Sequence, residues 1–144
     1  MMPSHQSTAT LVAAATTPTM AKILVVDDQP DLAAPTVKFL ESEGHTVTTL
    51  PNGKEALASV LNDIPDLIIL DLLMPEMDGP SFLEVIRSYL RLQTLPVVVL
   101  TGLEDSPMIS RAQSLKVNSI LIKSKAGLKD IKHAVDEALV RAPG

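Results

Sequence analysis

Residues 66–79 read DLIILDLLMPEMDG, and the aliphatic run inside this stretch decides the fold. Leu67–Leu70 is too short for a helix, and its apolar residues are continuous rather than alternating. Such runs are typical of strands that are buried on both faces of a parallel sheet. Asp71 follows the run directly, and Pro80 is a good first residue for a helix. The stretch therefore predicts a buried strand, a polar end and a helix in succession.

The same succession occurs five times along the chain. The other predicted strands are Ile23–Val26, Thr46–Leu50, Val97–Leu100 and Ser119–Ile122. The predicted helices run from about 30 to 43, from Asn52, from Pro80, from about Ser106 and from about 126 to 141. Five strand–helix units predict an α/β fold with a doubly wound five-stranded parallel sheet, (βα)5. A closed barrel needs eight such units and is excluded.

Helical spacing also predicts which residues face the core. Asn52 followed by Glu55 predicts a capping box at the start of the second helix. The third helix is expected to bury one face, made of Phe82, Leu83, Ile86 and Leu90. The last helix is expected to bury another, made of Leu128, Ile131, Val135 and Ala138.

Composition restricts the class of protein. The 144 residues contain three aromatic side chains and no cysteine, so the core must be aliphatic, and disulfides and thiolate metal sites are excluded. A net charge of -5 argues against nucleic acid or an anionic membrane as the main ligand. No apolar run approaches the roughly 18 residues of a membrane helix. We therefore expect a cytoplasmic protein.

The first twenty residues differ from the rest of the chain. Residues 1–20 contain no Asp, Glu, Lys or Arg and are rich in Thr, Ala and Ser. This composition predicts a disordered or non-native N-terminal tail, because it cannot bury enough apolar surface to offset the entropy of ordering. The folded domain is expected to span residues 21–144.

Four of the five predicted strands end in a residue that can do chemistry. The residues are Asp27 and Asp28 after the first strand, Asp71 after the third, Thr101 after the fourth and Lys123 after the fifth. In a doubly wound sheet, ligands bind outside the carboxyl ends of the strands. Each residue alone is most often a turn former or a solvated side chain, but together they converge on one edge and predict a site.

Three carboxylates at one edge need a compensating charge, because like charges raise one another's pKa. Lys123 supplies only one positive charge. Carboxylate oxygens without His or Cys favour a hard ion, and a site with open positions suits Mg2+. With Mg2+ and Lys123 present, phosphoryl transfer is the natural chemistry. Asp71 would be the nucleophile, and Lys123 and the Thr101 hydroxyl would each bind a phosphoryl oxygen.

These motifs resemble the receiver domain of bacterial two-component response regulators. The resemblance is carried by KILVVDDQP at 22–30, DLIILDLLMPEMDG at 66–79, VVVLTG at 97–102 and Lys123. It implies a flavodoxin-like fold with strand order 2-1-3-4-5 and Asp71 as phosphoacceptor. It further implies that Asp28 and Asp71 contact the metal, that Asp27 acts largely through metal-bound water, and that the Leu73 carbonyl is another ligand.

The resemblance also implies partners. The phosphodonor would be a phosphohistidine on a sensor histidine kinase or a phosphotransfer protein, and phosphorylation would switch a surface made of helix four, strand five and helix five. Output would reach a downstream protein target in trans, from a monomer or weak homodimer, without direct binding of nucleic acid or membrane. The domain would not be an enzyme beyond self-phosphorylation and slow autodephosphorylation.

Three features depart from the family pattern. Ile120 stands where members of the family usually carry the aromatic switch residue that partners Thr101. Ser124 stands where a cis proline usually follows the lysine, which predicts a trans bond or a rearranged loop, since a cis bond before a residue other than proline costs about 3 kcal/mol. Lys116 replaces a helix-ending glycine that is common in the family, and Pro35 lies inside the first helix.

Three other functions were weighed against phosphoacceptor signalling. A receiver-like interaction module that no longer switches is favoured by Ile120 and Ser124. A phosphatase with an Asp nucleophile would place a second Asp two residues after the first, and Gln29 stands there instead. A flavin-binding fold would carry a Ser/Thr/Gly-rich loop after the first strand, and none is present. The histidines at 5, 45 and 133 are expected to be solvated rather than phosphodonors.

Overall fold

The computed structural model describes residues 20–141. Its strands are β1 (Lys22–Val26), β2 (Thr46–Leu50), β3 (Leu67–Leu70), β4 (Val97–Thr101) and β5 (Ser119–Ile122). Its helices are α1 (Pro30–Ser42), α2 (Gly53–Asn62), α3 (Gly79–Arg87), α4 (Pro107–Gln113) and α5 (Leu128–Arg141), with a 3-10 turn at Leu90–Leu92. The predicted tail, residues 1–20, lies outside the described residues apart from Met20, so the expected boundary at residue 21 stays a prediction.

The five strands form one parallel sheet in the order β2-β1-β3-β4-β5, which confirms the predicted fold class and strand order. Leu70 of β3 pairs with Val26 of β1 on one side and with Val99 of β4 on the other. This register brings the carboxyl ends of the three central strands to the same level. The residues that follow them therefore meet at one edge.

Helices cover both faces of the sheet, and each face builds its own apolar cluster. Alternate residues such as Leu24, Ile68 and Val99 pack with residues of α2, α3 and α4. The intervening residues of the same strands pack with α1 and α5. Because both faces of β1, β3 and β4 are buried, these strands lack the polar alternation of a solvated sheet, as the sequence predicts. Each fully buried Leu or Ile contributes roughly 1.5–3 kcal/mol.

Side chains cap the starts of α2 and α3. Asn52 Oδ1 accepts a hydrogen bond from the Glu55 backbone N–H at 2.8 Å, as predicted. The reciprocal half of the capping box differs, because the Glu55 carboxylate accepts from the Asn52 side-chain amide at 2.8 Å and not from its backbone. Asp78 Oδ1 caps α3 through the Ser81 N–H. The start of α3 is thus fixed by the last turn of the loop that follows Asp71.

The prediction that Leu90 belongs to the buried face of α3 is wrong. The helix ends at Arg87, and Leu90 lies in the 3-10 turn with 84% of its surface exposed. Leu92 fills the core position instead. The cause is local, because the Arg87 guanidinium donates to the carbonyls of Leu92 and Leu95 and holds the chain in a turn where the helix would otherwise continue.

The start of α5 and the environment of one histidine also differ from the predictions. The helix begins at Leu128, two residues late, and Leu128 is exposed rather than buried. His45 is buried rather than solvated, because its Nδ1 accepts a hydrogen bond from the Ala21 N–H at 3.2 Å. His133 is exposed, as expected. His5 lies outside the described residues.

The backbone accommodates the unusual residues of the chain. Lys116 adopts a left-handed conformation with φ of 63°, which glycine adopts with less strain than other residues. Pro35 lies inside α1, as the sequence predicts. Within the described part of the chain, no helix has the length and apolar character required to cross a bilayer.

Candidate functional site

Two buried aspartates and one lysine meet at the carboxyl edge of the sheet. Asp27 and Asp71 are only 4% and 6% exposed. The Lys123 ammonium lies 2.9 Å from Asp27 Oδ2 and 3.2 Å from Asp71 Oδ2. The three residues follow β1, β3 and β5, so they come from distant stretches of sequence, and strand order alone brings them together.

Asp28 completes an acidic cluster. One carboxylate oxygen from each of Asp27, Asp28 and Asp71 lies within 4.8 Å of the other two. Asp28 is exposed, so the cluster opens to solvent on one side. The donors are all carboxylate oxygens, without a His or Cys among them, and such a set suits a hard divalent ion that retains several waters. The cluster therefore fits Mg2+.

Backbone contacts fix the two buried carboxylates. Asp27 Oδ1 accepts from the Gln29 N–H at 2.8 Å, and Asp71 Oδ1 accepts weakly from the Leu73 N–H at 3.4 Å. Each aspartate thus turns one oxygen to its own loop and the other to Lys123. The arrangement leaves little side-chain freedom to either acid.

Gly79 holds the loop after Asp71 against the strand. Its N–H donates to the Leu72 carbonyl at 2.8 Å. A Cβ at this position would lie 2.7 Å from the Leu72 Cα and 2.9 Å from the Asp71 carbonyl oxygen, which no real side chain tolerates. Glycine is therefore required here by close approach, and it sets the path of the loop that carries the predicted ligand Leu73.

Lys123 is charged through the neutral range. Burial is the largest single influence and lowers its pKa, but hydrogen bonds and charge attraction from Asp27 and Asp71 together outweigh burial. The net result is a pKa raised above the ordinary lysine value of 10.5. The single ammonium is thus firmly held between two carboxylates, and it compensates only one of their two negative charges. The carboxylate of Asp28 adds to the negative charge that remains.

Ser124 does not displace the lysine. Within residues 20–141 there is no cis peptide bond, so the bond between Lys123 and Ser124 is trans, as expected. The Lys123 N–H donates to the Thr101 carbonyl at 2.8 Å, which continues the β4–β5 pairing by one residue. The lysine therefore reaches the acidic cluster with a trans bond before Ser124.

Thr101 is at the same edge but is fully buried at the end of β4. Its hydroxyl accepts from the Leu103 N–H at 3.3 Å, which ties it to the loop that follows β4. The open pocket above the acids is lined there by Gly102 and Leu103. Contact of Thr101 with a phosphoryl group stays a prediction.

The other two predicted residues lie on either side of this group. Leu73 follows Asp71 by two residues and lines the pocket. Ile120 pairs with Val99 in register and is partly buried against the cluster formed with α2, α3 and α4. Its side chain is partly buried, and the position lacks an aromatic ring. Their roles as ligand and switch residue stay predictions.

The sequence did not predict an apolar rim around the acids. Leu32 and Leu73 are 64% and 59% exposed, and both line an open pocket of about 420 Å³ with Leu103, Asp28 and Lys123. Exposed leucines at a charged pocket are informative because large apolar patches mark contact surfaces. Helical spacing alone would place Leu32 among the apolar residues of α1. Leu32 follows Asp27 by only five residues, and this short separation is the signal that could have placed it beside the site.

Comparison with known proteins points to the same family as the sequence motifs. Residues 23–136 match the family model described as response regulator receiver domain. The response regulator SaeR of Staphylococcus aureus is 32% identical over 121 residues, which cover 74% of this chain and 53% of SaeR. An uncharacterized 14.6 kDa protein of Leptolyngbya boryana is 44% identical over 80 residues, which cover 56% of this chain and 61% of that protein. This chain thus spans about half to two thirds of these relatives.

The fold has solved counterparts. The signal receiver domain of a signal transduction histidine kinase from Syntrophus aciditrophicus superposes with a TM-score of 0.76 at 32% sequence identity. The match covers 83% of this chain and 89% of that one. Asp27, Asp28, Asp71, Thr101 and Lys123 all lie within residues 23–136, the range that matches the family model.

Proposed function

This chain belongs to the response regulator receiver domain family, and on that premise we propose that it accepts a phosphoryl group on Asp71 and uses it to switch a protein-binding surface. Members of the family are signalling phosphoacceptors rather than classical enzymes. They bind Mg2+ at an acidic pocket and interact with histidine kinases or phosphotransfer proteins. Which partners this chain uses is part of the proposal.

One observation carries the proposal. Lys123 contacts both Asp27 and Asp71, so three strands deliver an ammonium and two buried acids to one point. The cost of burying like charges needs a compensating gain. A pocket that holds uncompensated negative charge beside a fixed ammonium suits a cation and a phosphoryl group together. A purely structural ion pair would not require a second buried carboxylate beside the ammonium.

The reaction is an in-line displacement. An Asp71 carboxylate oxygen attacks the phosphorus of a phosphohistidine, an O–P bond forms, the N–P bond breaks, and the histidine leaves. Asp27, Asp28, Asp71 and the Leu73 carbonyl would hold Mg2+, which neutralises charge on the phosphoryl oxygens. Lys123 would move from its two carboxylates to one phosphoryl oxygen, and the Thr101 hydroxyl would leave Leu103 for another.

The phosphodonor would dock on the apolar rim. Leu32 and Leu73 place exposed apolar surface beside the acids, and the partly buried Leu103 lines the same pocket. Such a rim suits a helical partner that presents its histidine between apolar side chains. Docking there would exclude water from the transfer step. The downstream target would bind elsewhere, on the surface of α4, β5 and α5 that the family resemblance implies.

Intact-mass spectrometry after incubation with Mg2+ and acetyl phosphate tests the proposal. We expect a gain of one phosphoryl group in the wild type and none in Asp71→Asn. Asp63→Asn is the matched control, because Asp63 is exposed and pairs with Lys22 at the opposite edge of the sheet. A wild-type protein that binds Mg2+ but gains no mass, or an Asp71→Asn variant that still gains it, would contradict the proposal.

A module that binds its partner without switching is the second candidate. Ile120 favours it, because this partly buried side chain has no aromatic ring to move when Thr101 is drawn to the phosphoryl group. Amide NMR spectra with and without beryllofluoride separate the two functions. Shifts that extend from the acids to α4 and β5 support the switch, whereas shifts confined to the acidic pocket support the static module.

A further inference from the structure

The outer side of β2 presents backbone groups that no other strand of the sheet pairs. Within residues 20–141, β2 is an edge strand and pairs with β1 alone. The Thr46 N–H and the Leu50 carbonyl both bond to the β1 side. Because every second residue of a parallel strand bonds to the same neighbour, the N–H and carbonyl groups of Val47 and Thr49 point away from the sheet. We call these outward groups the β2 edge.

The sequence of β2 does not protect this edge. Exposed edge strands usually carry a charged side chain, a proline or a bulge, which prevents pairing with another chain. Residues 46–50 read TVTTL, without a charge or a proline, and they pair with β1 residue for residue, without a bulge. None of the five residues is buried. Valine and threonine also favour extended backbone, so the edge is suited to receive a further strand.

Helix α2 leaves the amino half of β2 open. Thr46 and Thr48 are exposed on the face that α2 covers elsewhere. Their side chains line a shallow trough of about 160 Å³ together with Ser59 and Asp63. Val47 lies on the other face, where it packs against the apolar cluster of α1 and α5. An incoming strand therefore has room for its side chains on the α2 face.

The symmetry of the outward groups points to a second copy of this chain as the incoming strand. In antiparallel pairing centred on Thr48, Val47 lies opposite Thr49 of the partner subunit, and the two residues exchange both of their backbone hydrogen bonds. The same pair recurs on the other side of the two-fold axis. Thr48 then faces Thr48 of the partner subunit, a favourable cross-strand pair. A charge near the axis would face its own copy and be repelled, and β2 carries none.

We propose that the chain forms a symmetric homodimer through antiparallel pairing of two β2 edges, which joins two five-stranded sheets into one. β5 is at the far side of the sheet, so the dimer leaves the surface of α4, β5 and α5 free. Neither Mg2+ nor a phosphoryl group takes part. The dimer therefore stands or falls independently of the proposed function.

Sedimentation velocity and amide hydrogen exchange of the full chain test the dimer. We expect the sedimenting mass to rise from one copy to two with protein concentration. Added salt should strengthen the dimer, because each copy carries a net charge of -5. The amides of Val47 and Thr49 should gain protection from exchange as the dimer forms. The Thr48 amide faces β1 and should be protected at every concentration.

Substitutions in β2 test the location. Thr48→Lys places two ammonium groups opposite each other across the axis, so the dimer Kd should rise at least about tenfold. Thr49→Pro removes one hydrogen bond from each pair and leaves the bonds to β1 intact, because its N–H points outward. This variant serves if Thr48→Lys does not fold. Thr94→Lys is the matched control, because Thr94 is exposed in the loop before β4, and its Kd should equal that of the wild type.

Three results would overturn the proposal. One is a chain that stays monomeric at every concentration and salt level. Another is a dimer whose Val47 and Thr49 amides exchange as fast as in the monomer, or whose Kd is unchanged in a folded β2 variant. The third is protection of these two amides that does not depend on concentration, which would mean that a segment of the same chain covers the edge. The exchange measurement needs only the wild type, so it decides the matter even if both variants unfold.

Discussion

At the amino edge of the sheet, polar groups pair with one another, whereas at the carboxyl edge charges of the same sign are held together. Arg87 donates to the carbonyls of Leu92, Leu95, Leu115 and Lys116 and so joins the segments that lead into β4 and β5. The Asn118 side chain accepts from the Val97 N–H, and the Asp66 carboxylate accepts from the Lys22 N–H. The carboxyl edge instead brings three carboxylates together, and one ammonium contacts two of them.

The amino edge of the sheet therefore contributes stability, whereas the carboxyl edge carries the proposed function. Satisfied hydrogen bonds at the amino edge each contribute roughly 0.5–1.5 kcal/mol and fix the strand entries. The carboxyl edge holds uncompensated charge and exposed leucines, and both cost stability unless a ligand binds. Substitutions at the two edges should therefore have opposite signatures.

The largest expected effect is on phosphorylation at the carboxyl edge. Lys123→Met removes the ammonium that would stabilise charge on the phosphoryl oxygens, so the rate of phosphorylation by acetyl phosphate should fall about 10²–10³-fold. Intact-mass time courses at saturating Mg2+ measure the rate. Lys125→Met is the control, because Lys125 is exposed and pairs with Glu104. A Lys123→Met rate within a few fold of the wild type would remove the lysine from the mechanism.

The next effect is on stability at the amino edge. Arg87→Met leaves four backbone carbonyls without their donor and should lower the free energy of unfolding by about 2–4 kcal/mol. Phosphorylation of the folded fraction should be unchanged, because Arg87 is at the opposite edge. Urea unfolding and mass spectrometry measure the two quantities. Arg91→Met, which loses one exposed hydrogen bond to the Leu61 carbonyl, should cost far less.

Asp28→Asn should change stability in the direction opposite to Arg87→Met. Removing one carboxylate from the cluster relieves repulsion, so stability without Mg2+ should rise by up to about 1 kcal/mol. Mg2+ affinity should fall, because a ligand oxygen loses its charge. Urea unfolding with and without Mg2+ reports both changes. If Asp28→Asn is less stable than the wild type in the absence of Mg2+, the carboxyl edge is not held under charge repulsion.

Lys123 predicts a pH dependence of stability. Its pKa is raised in the folded state, so its contribution is fully present below 10.5 and is lost as the pH rises through the folded value. The stability difference between the wild type and Lys123→Met should therefore be constant from neutral pH to about 10.5 and should shrink above it. A difference that already shrinks near neutral pH would mean that the two carboxylates do not hold the ammonium.

The smallest expected effect concerns the apolar rim. Leu73→Asn places a hydrogen-bonding group where an attacking water would stand, so loss of the phosphoryl group should accelerate by about threefold, an effect near 0.6 kcal/mol. Decay of the phosphorylated mass after removal of acetyl phosphate measures it. Leu90→Asn, an equally conservative change at an exposed leucine of the amino edge, should leave the decay unchanged. Equal decay in all three proteins would show that the rim does not control water.

The strands and the site edge could be predicted because both depend on short-range signals. Leu67–Leu70 is apolar throughout, which fixes burial on both faces, and the residues after such runs must share an edge in a parallel sheet. Asp27, Asp71 and Lys123 therefore meet as expected. The metal-ligand and phosphoryl-binding roles go beyond what spacing provides, and they stay predictions.

What sequence reasoning missed depends on contacts made across the chain. Leu90 fits the spacing of α3, but Arg87 binds carbonyls that follow the helix and ends it early. His45 looks like a surface residue until the Ala21 N–H, 24 positions away, supplies its partner.

A crystal structure with Mg2+ and beryllofluoride tests the central claim most directly. The account predicts beryllofluoride bonded to an Asp71 carboxylate oxygen, Mg2+ at Asp28, Asp71 and the Leu73 carbonyl, and Lys123 moved onto a fluorine. Mg2+ bound away from these carboxylates, or Lys123 still bridging Asp27 and Asp71 beside an unmodified Asp71 at saturating beryllofluoride, would contradict it.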